Sequence, residues 1–241
     1  MIVTLSDFSD SEYLGVMKGV IYSIYNNARV VDLYNNIDSQ NVREGAWILF
    51  ANYRYFPKGS IFLCVVDPGV GARRQCVAVK TKDYYFVGPD NGLMYPAALD
   101  NRIISVVKLS TKGASKTFHG RDVFTRASAK LEKGIGIGKL GCKIKLQTKL
   151  EFYKRGRDGE VVRVDYFGNI ITNLESLNKS MYTAKFKNKV KLLKYYNTYE
   201  EAKQDELFLI TGSANTLEIS IKNKSANRML KLKAGDRIEI Y

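Results

Sequence analysis

The sequence predicts an α/β domain with a largely parallel central sheet over residues 1–150, followed by a smaller all-β, barrel-like domain over residues 151–241. Strand and helix signals alternate through the first part, the order from which parallel sheets are built. Short alternating runs separated by Gly, Asn and Lys clusters fill the second part, as in a small sandwich or barrel. At 241 residues the chain has the length of one large domain or two small ones, and its 45% hydrophobic content supplies a sizeable core.

Taken in order, Ile2–Leu5 reads as a short strand, followed by a helical stretch near Glu12–Tyr25 and a strand over Ala28–Tyr34. Asn41–Phe56 carries apolar residues at helical spacing, and Pro57 and Gly59 end it. Ser60–Val66 is a continuous apolar run, typical of a strand covered on both faces. Cys76–Thr81, Asp83–Val87 and Ile104–Ser110 read as further strands, with mixed directions expected after Gly71. Asp122–Glu132 should be a helix. The boundary falls near 147–158, where charged residues and two glycines interrupt the pattern. Beyond it Val161–Tyr166, Lys185–Leu193, Glu206–Gly212, Leu217–Lys222 and Arg237–Tyr241 read as strands, and Lys185, Lys187, Lys189 and Lys191 alternate with Phe186 and Val190 like a strand with one solvated face.

The formal net charge is +14, but it is regional: residues 1–101 are net −1, residues 102–149 net +10 and residues 150–241 net +5. A basic module that binds nucleic acid through its β-rich second half, like an OB-fold, is the rival to a small-molecule enzyme. The absence of a basic tail favours a lysine-rich surface, with nucleic acid not the expected partner. No stretch reaches the ~18–20 apolar residues of a membrane span, and MIVTLSDFSD has acidic residues where a signal peptide carries a basic start. A cytoplasmic location without a membrane partner is expected. Cys64, Cys76 and Cys142 lack CxxC spacing and read as reduced, buried thiols. With one histidine, His119, no zinc or other metal site is expected.

Five short segments bear on chemistry. Gly136-Ile-Gly138-Lys-Leu-Gly141 matches a dinucleotide fingerprint, but it follows a helix and precedes a strand, the wrong context for phosphate. Ser6-Asp7-Phe8-Ser9-Asp10 closes the first strand, where a carboxylate either meets a ligand such as a ribose or caps a helix. In Val65-Val66-Asp67-Pro68-Gly69-Val70-Gly71-Ala72-Arg73-Arg74 an apolar strand runs into an Asp and a tight turn. Arg74 is placed to fold back onto Asp67; an ordinary turn is the plain alternative. Thr117-Phe118-His119-Gly120-Arg121-Asp122 puts the only histidine in a polar loop, either capping or orienting a water. Asp165-Tyr166-Phe167-Gly168-Asn169 offers a ring face, a close backbone approach and an amide, the parts of an adenine pocket, or else a hairpin turn.

In this order, SDFSDSEYLGVMKGVI, VVDPGVGARR, GPDNGLM, TFHGRDVF, DYFGNIITN, GSANTLEI and AGDRIEIY resemble the S-adenosylmethionine hydroxide adenosyltransferases, relatives of the enzymes that make 5′-halo-5′-deoxyadenosine. The resemblance implies hydrolysis of S-adenosyl-L-methionine to adenosine and L-methionine, with no cofactor beyond the substrate, in a homotrimer whose sites lie between subunits. It implies that Asp67, Arg74 and His119 hold the attacking water or hydroxide; in the halogenases the Asp is not acidic and the His is replaced. It assigns Asp7 to the ribose, places Phe118 beside the His, and gives Asp165, Phe167 and Asn169 to methionine and adenine. Ser213 and Glu218 match the segment closing over the amino-acid and base ends. Two positions depart from the pattern: Ser9 stands where glycine is usual, and Asn35 where histidine is common.

Overall fold

In the computed structural model, which describes residues 1–241, the first strand β1 (Ile2–Ser6) is buried along its whole length. The chain divides into two units, Met1–Leu150 and Glu151–Tyr241. In the first, β1 pairs in parallel with β2 (Val30–Tyr34) and β3 (Ile61–Val65). The apolar run Ile61–Val66 is buried throughout, as a central strand covered on both faces requires. Three more strands follow, β4 (Cys76–Thr81), β5 (Tyr85–Pro89) and β6 (Ile103–Leu109), and then an edge strand, β7 (Gly141–Ile144). The order is β2-β1-β3-β5-β4-β6-β7. The β2-β1-β3-β5 half is parallel, while β4, β6 and β7 pair antiparallel. The change of direction comes after Gly71, where mixed strands were expected, because β4 and β5 are joined by a turn too short for a crossover.

Helices supply the parallel crossovers. α1 (Glu12–Ile24) buries Met17 and Ile21 against the sheet. α2 (Val42–Asn52) opens with a reciprocal cap: the Asn41 side chain accepts from the Glu44 amide at 3.1 Å, and the Glu44 carboxylate accepts from Asn41 Nδ2 at 3.3 Å. It ends four residues sooner than the apolar spacing implies, loosening into a 3₁₀ turn at Tyr53–Tyr55. α3 (Tyr95–Asp100) lies between β5 and β6. The helix expected over Asp122–Glu132 begins as a π turn, Gly120–Phe124, whose closing bond runs from the Thr125 amide to the Gly120 carbonyl; α4 (Thr125–Glu132) continues it. The GxGxxG-like run lies on a short 3₁₀ turn leading into β7, and no helix begins there.

The core on one face of the sheet gathers Met17, Leu63, Val65, Cys76, Val107 and Phe124. On the other, Phe62 and Phe86 stack with centroids 5.2 Å apart. Each such large apolar side chain contributes about 1.5–3 kcal/mol when fully buried.

The second unit is a closed barrel of seven strands: β8 (Asp158–Val164), β9 (Ile170–Thr172), β10 (Met181–Phe186), β11 (Lys189–Tyr195), β12 (Leu207–Thr211), β13 (Leu217–Ile221) and β14 (Arg237–Ile240). The β10–β14 pairing closes it. One short helix, α5 (Ala226–Leu230), follows β13. The lysine alternation of 185–191 is two strands, not one. The chain turns at Lys187–Asn188, with Lys187 in the left-handed region (φ 51°), so that Phe186 points into the core while Val190 is exposed. Of the three free thiols, Cys64 and Cys76 are buried, but Cys142 is exposed on the edge strand rather than buried as expected.

Candidate active site

The turn after β3 places Asp67 at the carboxyl end of the sheet's parallel half, and the chain then reverses so that Arg74 returns to it. Gly71 permits the reversal: it has φ +76°, and a β-carbon there would strike the Lys116 carbonyl oxygen. Arg74 grips Asp67 with two parallel bonds, Nε to Oδ1 at 2.8 Å and Nη2 to Oδ2. Both side chains are nearly sealed from solvent, at 10% and 7% exposure. Burial works against the Arg74 charge, but the hydrogen bonds and charge of Asp67 outweigh it and hold the guanidinium protonated.

His119 joins this pair: Arg74 Nη2 lies 2.8 Å from His119 Nδ1. A guanidinium only donates, so Nδ1 accepts and the ring proton sits on Nε2. Burial, then the Arg74 charge, lowers the His119 pKa, with Asp67 and Asp122 acting in the opposite sense. The imidazole is therefore neutral at pH 7, and Nε2–H is a donor. Gly120, next along, is tightly packed: a β-carbon would sit 3.1–3.3 Å from the Phe118, Val65 and Met17 side chains, which would have to give way.

A cavity of ≈ 320 Å³ opens beside the cluster, lined by Asp7, Phe8, Asp67, Phe118 and His119 among others. Asp7 is held by the Gln40 amide, which donates to Oδ2 at 2.9 Å. Phe8, Tyr13 and Phe118 form an edge-to-face trio with centroids 5.1–5.9 Å apart, of which Phe8 and Phe118 line the cavity. A second cavity of ≈ 470 Å³, lined by Arg73, Arg74, Cys76 and Lys108, shares His119 with the first. PDNG does not line the first cavity: Asn91 donates to the Val66 carbonyl at 2.8 Å, fixing the strand end that presents Asp67. Asp90 accepts from the Gln147 and Thr148 amides at 2.8 and 3.2 Å.

In the second unit, Asp165 and Asn169 close a tight loop. Asp165 accepts from the Asn169 amide at 2.8 Å and from Asn169 Nδ2 at 2.9 Å. Gly168 at its apex has φ +83°, and a β-carbon would strike Ser225. Phe167 is 72% exposed, edge-to-face with Tyr166 at 5.6 Å, which leaves a ring face open for stacking. Glu218, on β13, is buried, and burial followed by the Asp165 charge pushes its carboxyl up to about 7. Ser213 is exposed in the turn between β12 and β13. The structure thus sets Asp67 and His119 around one cavity with Asp7 and Phe118, with Arg74 bonded to both from behind, and gathers Asp165, Asn169 and Glu218 in a cluster of the second unit. Phe167 and Ser213 stand exposed beside that cluster.

Two contributors escaped the sequence reading. Tyr199 hydroxyl lies 3.4 Å from Asn169 Nδ2 and hydrogen-bonds Glu218, tying the loop to β13; nothing in its local sequence marks it. Cys76 touches both Arg74 and His119. No group of three or more His, Cys, Asp or Glu is arranged to hold a metal ion.

Comparison with known proteins decides the family. Residues 2–141 match the SAM hydroxide adenosyltransferase N-terminal domain, and residues 159–239 match the corresponding C-terminal domain. The chain belongs to this family. Among SAM hydroxide adenosyltransferase relatives, it is 34% identical to the (R)-S-adenosyl-L-methionine hydrolase of Methanocaldococcus jannaschii, over 99% of this chain and 95% of that protein. It is 33% identical to the enzyme of the same name from Thermus thermophilus, over 96% and 95%. The fluorinase of Actinopolyspora mzabensis is more distant, 25% identical over 67% and 66%. A crystal structure of an uncharacterized conserved protein from Thermotoga maritima superposes with a TM-score of 0.94, at 32% identity and full coverage of both chains.

Proposed function

We propose that this SAM hydroxide adenosyltransferase family member hydrolyses S-adenosyl-L-methionine, in the (R) form named for its relatives, to adenosine and L-methionine. Methionine leaves a sulfonium as a neutral thioether and needs no acid. The difficulty is the nucleophile, because water is weak and must be stripped, aimed and relieved of a proton. The observation that carries the reading is the buried Asp67–Arg74–His119 cluster, which presents Asp67 and His119 to the first cavity.

With Nδ1 committed to Arg74, neutral His119 offers Nε2–H to the oxygen of a water or hydroxide. Asp67 keeps lone pairs beyond those engaged by Arg74, and these accept the water's hydrogen as C5′–O forms and C5′–S breaks. General-base help of this kind is worth ~10²–10⁴-fold. Asp7 holds the ribose hydroxyls and Phe118 packs beside the His. Asp165, Asn169 and Phe167 take the methionine and adenine ends, with Ser213 and Glu218 closing over them. We assign the protein to the cytoplasm as a homotrimer that uses neither metal nor redox cofactor and has no nucleic-acid partner.

Chromatography of products from S-adenosyl-L-methionine, with and without chloride, tests the reading. Adenosine and methionine in equal amounts, unchanged by halide, are expected. A chloride-dependent 5′-chloro product, or no turnover beside salt-sensitive binding to nucleic acid, overturns it. Separated sulfonium epimers test the (R) preference, and light scattering tests the trimer.

A further inference from the structure

Cys76 is the first residue of β4 and is buried, so its thiol has few partners to choose from. Arg74 Nη1, the guanidinium nitrogen that Asp67 does not use, lies 2.8 Å from its sulfur. The same sulfur is 3.5 Å from His119 Nδ1. A guanidinium donates only, so sulfur accepts from Arg74 and rests against Nδ1, whose single lone pair takes the Arg74 Nη2 hydrogen. Arg74, Cys76 and His119 thus close a ring, since Arg74 Nη2 also reaches Nδ1 at 2.8 Å. A buried guanidinium N–H without an acceptor is costly, so the sulfur steadies Arg74 where it meets His119.

We propose that Cys76 is a positioning residue for hydrolysis: its sulfur takes the spare Arg74 N–H and holds the guanidinium where Nη2 donates to His119 Nδ1, which keeps the ring proton on Nε2, facing the nucleophile. This rests on the hydrolase reading for its catalytic consequence but not for its structural one. The charged and titratable groups acting on His119 are Arg74, Asp67, Cys76 and Asp122. Arg74, steadied by the sulfur, favours the neutral ring, and the two carboxylates favour the charged one. Loss of the thiol therefore raises the His119 pKa. A merely space-filling residue would leave it unmoved.

Because His119 is the only histidine, ¹⁵N-edited NMR reads its tautomer and titration without assignment. The free protein is expected to show a protonated Nε2 and an accepting Nδ1. Cys76→Val fills the site, with one heavy atom more than the thiol, but offers no hydrogen bond. It should mix the tautomers, raise the ring pKa and cut kcat about tenfold with KM nearly unchanged. Cys76→Ser, which keeps an acceptor and a donor, should restore both the spectrum and most of kcat. A Cys76→Val protein with wild-type tautomer, titration and kcat overturns the proposal, as does a serine variant no better than valine. The spectra are recorded without substrate, so they judge Cys76 even where product analysis goes against hydrolysis.

Discussion

Arg74 offers one nitrogen, Nη2, to two partners at once: the Asp67 carboxylate and, 2.8 Å away, His119 Nδ1. The shared donor couples the residue proposed to accept the proton with the residue proposed to hold the water. Lysine cannot make that fork. Arg74→Lys should therefore lower kcat by ~10²-fold or more, and Asp67→Asn by ~10²–10⁴-fold, measured as adenosine release. Asp67→Asn also leaves a buried guanidinium without its counter-charge. That costs about 3 kcal/mol, so its thermal midpoint should fall too. Full activity in either variant would sink the assignment.

The pH profile should carry the mark of His119. Burial and the Arg74 charge lower its pKa, so the ring stays neutral until the pH drops below its ordinary value of 6.5. The acid limb of kcat/KM is expected below that pH. The unfolded chain takes up its proton first, so stability should also decline as the pH falls from about 6.5 toward the lowered folded value. His119→Asn keeps an acceptor for Arg74 but has no Nε2–H. It should lose at least tenfold in kcat and lack the acid limb. An unchanged limb in that variant would point to another group.

Glu218 behaves in the opposite sense. Its carboxyl rises from 4.5 to about 7 because burial and Asp165 disfavour its charge. The folded state therefore binds the proton more tightly than the unfolded one, and stability is lost as the pH rises from 4.5 to about 7. That shift is worth about 3 kcal/mol at full ionisation. Glu218→Gln should flatten the fall in melting temperature across this window and leave the protein more stable than wild type at pH 8. Equal slopes for both proteins would contradict the burial argument.

Ser9 sits in the left-handed region, φ 49°, while its amide donates to the Asn35 carbonyl at 2.7 Å. A side chain in that conformation costs roughly 1 kcal/mol, which glycine avoids. Ser9→Gly should raise the melting temperature by about 2–4 °C with activity kept. A lower melting temperature would mean that the serine stabilises the turn in some other way.

How much was legible follows from how local each signal is. The Ile61–Val66 run announced a central strand because burial on both faces leaves no polar period to confuse. The Lys185–Lys191 alternation misled for an equally local reason. A two-residue turn preserves a period of two, so a hairpin reads as one strand until a left-handed Lys187 breaks it. Asp67 and Arg74 lie seven residues apart on one turn, close enough to pair on paper. Cys76 and His119 are 43 apart and meet only because β4 lies beside the loop before α4. Tyr199 comes to Asn169 across 30 residues, a distance no pattern spans.

The π turn at Gly120–Phe124 gives this site an unusual dependence on chain length. A π turn holds one residue more than the helix beside it needs. Removing a single residue there would let the backbone regularise into α4, a local gain in hydrogen bonding. It would also swing everything before it by about 100° around the helix axis, carrying Phe118 and His119 away from Arg74. Single-residue deletions at 121–123 should thus give a well-ordered helix and an inert protein: the register of the chain, as much as the identity of its side chains, stores the catalytic arrangement.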